Sequence, residues 1–240
     1  MKLFLPKQHG AWAMLIIPFW LGVIASNFLW QHIPFFLGWI LLYLATYPML
    51  LLFKRKKLSL YKKWTVIYLL PALFFLLVPL FTRPSIILFG LIMIPFFCIN
   101  AYFSSKNNDR ALTNDLSAII VFAIAGLASS FLGEGEISFN AWLAFFSSIL
   151  FFTGSTFYVK TMIREKKSEL YKQISWGYHL LVVILWVIVG YWIFALASLP
   201  SLLRAIFFYG KPYSAKKVGI LEIVNAVLFF GMMAVALLVP

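Results

Sequence analysis

Several stretches of the chain carry side chains able to hold charge or move protons. PKQHGAW, residues 6–12, sets Lys7, Gln8 and His9 directly before a long apolar run. SSKNNDRALTND, residues 104–115, supplies Asn107, Asp109, Arg110 and Asp115. YVKTMIREKK, residues 158–167, carries Lys160 and Arg164, and His179, Arg204, Glu222 and Asn225 follow inside apolar sequence. The imidazoles of His9 and His179 can exchange a proton near neutral pH, and Asp109 or Asp115 could serve as a base. If a helix continues through Arg164, Lys160 and Arg164 share a face at i and i+4 and can clamp a phosphate or carboxylate. The catalytic candidates are therefore His9, Asp109, Asp115 and His179. The binding candidates are Lys7, Gln8, His9, Asn107, Arg110, Lys160 and Arg164.

Each has a plainer reading. His9 beside Trp12 suits a membrane interface, where both side chains meet headgroups. Thr113, Asn114 or Asp115 can cap a following helix and place negative charge at its positive end. Asp109 and Arg110 can pair in solvent, which contributes little. Arg204 and Glu222 can form a buried ion pair between neighbouring helices. His32 falls at the far side of the apolar layer from His9 and His179, so the three cannot bind one metal across roughly 30 Å of hydrocarbon.

Composition decides what must position these groups. Of 240 residues, 63% are hydrophobic and 11% charged, with 26 phenylalanines, a balance that no water-facing globular surface accommodates. The chain reads as an all-α polytopic membrane bundle. Its net charge of +13 lies in bursts between apolar segments and forms no groove-lining face, so nucleic acid is not its partner. The one cysteine, Cys98, excludes an intrachain disulfide and reads as packing. Lys2, Lys7 and the apolar run after them mimic a signal peptide, but many comparable segments follow, so the first reads as a span. Hydrophobic windows place spans at 11–29, 34–53, 64–81, 85–103, 115–132, 139–159, 174–190, 193–209 and 219–239.

The doubtful stretch is 174–209, which is one long helix or two joined near Gly190 and Tyr191. Two helices, with the N-terminus cytoplasmic and the C-terminus exterior, put every Lys and Arg except Arg83 inside. Merging them would expel Lys211, Lys216 and Lys217. KRKKLSLYKKWTVIYLL, residues 54–70, overlays REKKSELYKQISWGYHL, residues 164–180, with Lys56, Lys57, Leu60, Tyr61, Lys62, Tyr68 and Leu70 meeting Lys166, Lys167, Leu170, Tyr171, Lys172, Tyr178 and Leu180. The pairing implies a single integral membrane domain of pseudo-repeats, about 1–110 and 111–218, with an extra helix at 219–239.

PKQHGAWAML, NDRALTNDL and FYVKTMIREKK resemble the YwiC-like family of bacterial integral membrane proteins, and the resemblance covers most of the chain. It implies a multi-pass protein of the bacterial plasma membrane. Nine helices in a 4+4+1 order, with basic loops after helices two and six, also look like the UbiA superfamily of intramembrane prenyltransferases. In that superfamily the two loops carry aspartate-rich motifs that hold magnesium against a prenyl diphosphate. Here those loops hold Glu165 and Glu169 but no aspartate, so the likeness implies no metal or other cofactor and passes on no catalytic residue. The resulting expectation is a degenerate prenyltransferase-like scaffold in contact with membrane lipids, binding or modifying an anionic lipid or isoprenoid-type ligand at the cytoplasmic face. A small-solute permease is the alternative, with possible helix breaks at Pro18, Pro48, Pro71 and Pro95. A non-catalytic assembly subunit is another, in which helices with Gly22, Gly126 and Gly231 could pack against a partner as readily as against one another.

Overall fold

The computed structural model describes residues 3–6, 10–54 and 57–239. Among them are nine α-helices and no strand: α1 (Gly10–Ile24), α2 (His32–Leu52), α3 (Leu58–Thr82), α4 (Ile87–Ser105), α5 (Leu112–Glu134), α6 (Phe139–Ile163), α7 (Glu169–Ile188), α8 (Trp192–Phe207) and α9 (Ala215–Leu238). The all-helical bundle read from hydropathy is thus the architecture. A short 3-10 turn, Pro84–Ile86, leads into α4. Helices α2 to α6 and α9 are long and apolar enough to cross a membrane, whereas α1 and α8 have 15 and 16 residues. The matched basic stretches open α3 and α7, and both helices start before their apolar windows because long lysine stems can lie along a helix with their charge outside.

Residues 174–209 form two helices. Gly190 has φ +84°, and Tyr191 N–H reaches back to Trp186 O at 2.9 Å, a left-handed close that glycine adopts without steric cost. Proline does not break the others. Helices α1 to α4 run through Pro18, Pro48, Pro71 and Pro95, correcting the breaks expected there. Polar serines fix two helix starts: Ser168 and Ser214 accept from the N–H groups of Tyr171 and Lys217.

The chain divides into two compact units, residues 1–142 and 143–240, the division falling inside α6. In the first unit α2 and α3 form a hairpin, and α1 and α4 each pack on α5. Leu15, Phe19, Val23, Phe35, Trp39, Phe122 and Leu132 build its core. Small residues let α1 approach α5: a Cβ on Gly22 would stand 2.0 Å from Gly126 O, and Ser129 Oγ donates to Phe19 O at 2.7 Å. Of the glycines that could pack on a partner or on one another, Gly22 and Gly126 meet each other, while a Cβ on Gly231 would find nothing within 4 Å. Outward faces are apolar instead, with Leu70, Phe74, Phe81, Leu88 and Ile92 exposed on α3 and α4, as a lipid-facing surface requires.

The two ends of this unit differ. At one, buried His32 donates from Nε2 to Ser129 O (2.8 Å), which leaves Nδ1 to accept from Leu29 N–H (2.9 Å). Arg83 Nε donates to Leu132 O at 2.8 Å, so its charge lies at the negative end of α5. At the other end Lys54 pairs with Asp109, Ser104 Oγ donates to Leu50 O, and Phe4 stacks on Tyr47 and Trp64.

Candidate functional site

In the second unit the last turn of α8 buries a charge. Arg204 donates through Nη1 to Glu222 Oε1 on α9, with only 5% and 14% of the two side chains exposed. The buried pair expected between neighbouring helices is present. The guanidinium carbon lies 4.0 Å from the ring centroid of Tyr158 on α6, so stacking uses its flat face and leaves its edges for hydrogen bonds. One edge serves Glu222. On the other, Nε and Nη2 have no hydrogen-bond partner among the described residues. Tyr158 Oη and Ser175 Oγ are buried and unbonded in the same sense, and Ser155 lies beside the Glu222 carboxyl.

Polar contacts continue along the seams. Asn225 Nδ2 donates to Ser201 Oγ between α9 and α8, and Trp176 Nε1 donates to Ala205 O between α7 and α8. His179 donates from Nδ1 to Ser175 O at 2.6 Å. Its Nε2 then carries a lone pair without a partner, 3.0 Å from where a Cβ on Gly154 would stand. A small pocket lined by Leu150, Phe151, Tyr178, His179, Val182, Ser198 and Ser201 adjoins it, with room for about one water. This is a donor-rich site with one unsatisfied acceptor, suited to an oxygen-bearing ligand group. It lies beneath the α7 amino end and the α8–α9 connection, where lysines rest on aromatic rings. Lys172 lies 5.1 Å from Trp176 and 5.2 Å from Tyr209, and Lys217 lies 4.0 Å from Tyr213.

Of the binding candidates in this unit, Lys160 is buried near the end of α6. Arg164 is exposed just past the end of α6 at Ile163, and its N–H and that of Glu165 both bond Lys160 O. Arg164 thus keeps the i to i−4 bond of a helical turn with Lys160, the lysine buried and the arginine exposed. In the first unit Asp109 pairs with Lys54 at 2.5 Å, a basic residue of the α2–α3 loop that the local reading with Arg110 overlooked. Asn107 adopts φ +54° and turns the chain out of α4, while Arg110 is exposed. The cap expected from Thr113, Asn114 or Asp115 is replaced by an earlier start: Ala111 precedes α5 without a side-chain cap, and Asp115 stands in the first turn. Asn114 instead donates to Asp109 O and accepts from Asn100. Lys7, Gln8 and His9 lie outside the described residues. Tyr158 escaped the sequence reading, since a tyrosine in a long aromatic-rich run looks like packing. Its signal is the i, i+3 spacing from Ser155 within the hydroxyl-rich run 153–161 of α6.

Residues 5–130 match the model of a family described as YwiC-like protein. The chain belongs to the YwiC-like family. A Bacillus subtilis (strain 168) relative, the uncharacterized protein YwiC, is 47% identical over 97% of this chain and 98% of its own length. An uncharacterized protein of Haemophilus influenzae is 41% identical over 99% of this chain and 100% of its own. No solved structure matches, so the UbiA likeness stays one of helix number and loop position. The YwiC-like family match ends within α5, whereas the Arg204 site is built from α6 to α9, which the full-length relatives also span.

Proposed function

We propose that this YwiC-like membrane protein binds an anionic lipid or isoprenoid-type substrate at the cytoplasmic face of the plasma membrane, through the open edge of Arg204. The observation that carries the reading is the pair of buried, unbonded donors Nε and Nη2, held in plane by Tyr158. Such an edge matches the two oxygens of a carboxylate or phosphate. The cytoplasmic assignment follows the distribution of Lys and Arg among the loops. His179 Nε2 would be the proton acceptor if the bound group is also modified, and Lys160 and Arg164 lie at the same end of α6 to meet the headgroup.

Native mass spectrometry of the purified full chain tests the binding. The wild type is expected to retain an anionic lipid and Arg204→Gln to lose it at least tenfold; equal retention by a folded variant would overturn the assignment. Cysteine labelling from outside intact cells is expected to miss Cys introduced at Lys57 and Lys167. Labelling of either position would reverse the orientation at that loop.

The buried charge pair favours one alternative, a permease for a small anion, because a charge inside apolar helices commonly marks a translocation path. Uptake of a labelled anion into proteoliposomes, abolished by Arg204→Gln, would replace the lipid reading.

A further inference from the structure

We propose that the Arg204 site takes a single oxyanion, a phosphate monoester or a carboxylate, on its Nε and Nη2 edge, and that Glu222 takes up one proton as the anion binds. The inference rests on the binding reading above and adds the ligand's charge class and its coupling to protons. Arg204 and Glu222 together carry no net charge, and both side chains are largely removed from solvent. A monoanion on the second edge of the same guanidinium would leave the group one negative charge in excess, and a dianionic phosphate monoester two. Burying an uncompensated charge costs several kcal/mol per ion. It would also set two acidic groups on one cation, and like charges so close cannot both ionise readily.

The phenols, hydroxyl and neutral imidazole facing this pair add no positive charge, and Lys160, buried on α6, already has a partner of its own. From α6 come the phenol of Tyr158 and the hydroxyl of Ser155, and from the α8–α9 connection comes Tyr213. From α7 comes His179, whose Nδ1 already donates to Ser175 O and whose remaining nitrogen can only accept while the ring is neutral. Arg204 is the cation to which Glu222 is bonded. The balanced step is therefore anion plus proton in, with a neutral Glu222 carboxyl that still accepts from Nη1 and can donate to Ser155. The neutral carboxyl lets Arg204 neutralise a carboxylate, or one of the two charges of a phosphate monoester. A diphosphate, with its extra charge, is disfavoured on a single guanidinium edge.

The test is calorimetric titration of the purified full-length protein with dodecyl phosphate between pH 7 and 9, with dodecanol as the neutral control. In this range the monoester is already largely in its dianionic form, its second pKa being about 6. Uptake of one proton is expected to weaken binding about tenfold per pH unit through linkage. Titrations in two buffers of different ionisation heat should count the same proton. Glu222→Gln is expected to flatten the pH dependence. Dodecanol should not bind, and dodecyl diphosphate should bind at least tenfold more weakly. Competition by inorganic phosphate would assign the oxyanion to a free solute, and failure to compete would assign it to a lipid headgroup. If dodecyl phosphate binds at no pH, the binding reading itself falls. If it binds with no pH dependence in the wild type, or with an unchanged slope in Glu222→Gln, only the proton coupling falls.

Discussion

Glu222→Leu is expected to destabilise the second unit by about 3–5 kcal/mol, the usual cost of stranding one member of a buried ion pair. The loss comes from Arg204, whose guanidinium keeps its charge, its stacking on Tyr158 and almost no access to solvent. Removing both charges together, as Arg204→Met with Glu222→Leu, is expected to recover most of the stability, because two apolar side chains carry no desolvation penalty in that seam. Thermal unfolding of the detergent-purified variants decides the matter. A double variant as unstable as the single one would show that shape, and not charge, sets the cost. The recovered double variant also separates stability from binding, since it should fold while losing the anion site.

The second large effect is steric. Gly22→Leu and Gly126→Leu are each expected to prevent α1 from docking on α5 and to leave little folded protein. A Cβ on Gly22 would stand 2.0 Å from a backbone oxygen of Gly126, and one on Gly126 would stand 2.6 Å from Pro18 O. Backbone atoms inside packed helices cannot rotate away as a side-chain tip can, so the whole helix must shift. Overpacking costs about 1–3 kcal/mol even where some relaxation is possible. Gly231→Ala is the control, because its new methyl meets nothing within 4 Å and alanine favours helix. Yield of monodisperse protein after extraction measures both; normal yield of Gly22→Leu would show that α1 does not need that contact.

Hydropathy and charge made the helices legible to within a few residues, and the tight corner at Gly190 was visible because the rule for basic loops demanded an extra crossing there. The Arg204–Glu222 pair was also readable, since isolated opposite charges in successive apolar segments need each other. What sequence could not convey was contact across the fold. Asp109 has Arg110 beside it in the chain yet pairs with Lys54. His32 and Arg83 looked like stray polar residues, but they satisfy carbonyl groups near the end of α5 that no local pattern announces. Tyr158 is similar: its importance comes from a cation on another helix, and its neighbours in sequence give only a faint hint.

Helices α1 and α8, of 15 and 16 residues, measure roughly 22 to 24 Å at 1.5 Å per residue, several ångströms less than an ordinary hydrocarbon layer. Their termini can reach water only where acyl chains compress around them or where neighbouring protein shields the exposed peptide groups. Compression couples the molecule to bilayer thickness, so the chain lengths of the surrounding lipids enter its energetics directly. Under such compression the Arg204 guanidinium, in the final turn of α8, would lie in the thinned zone, where a headgroup has a shorter descent to meet it.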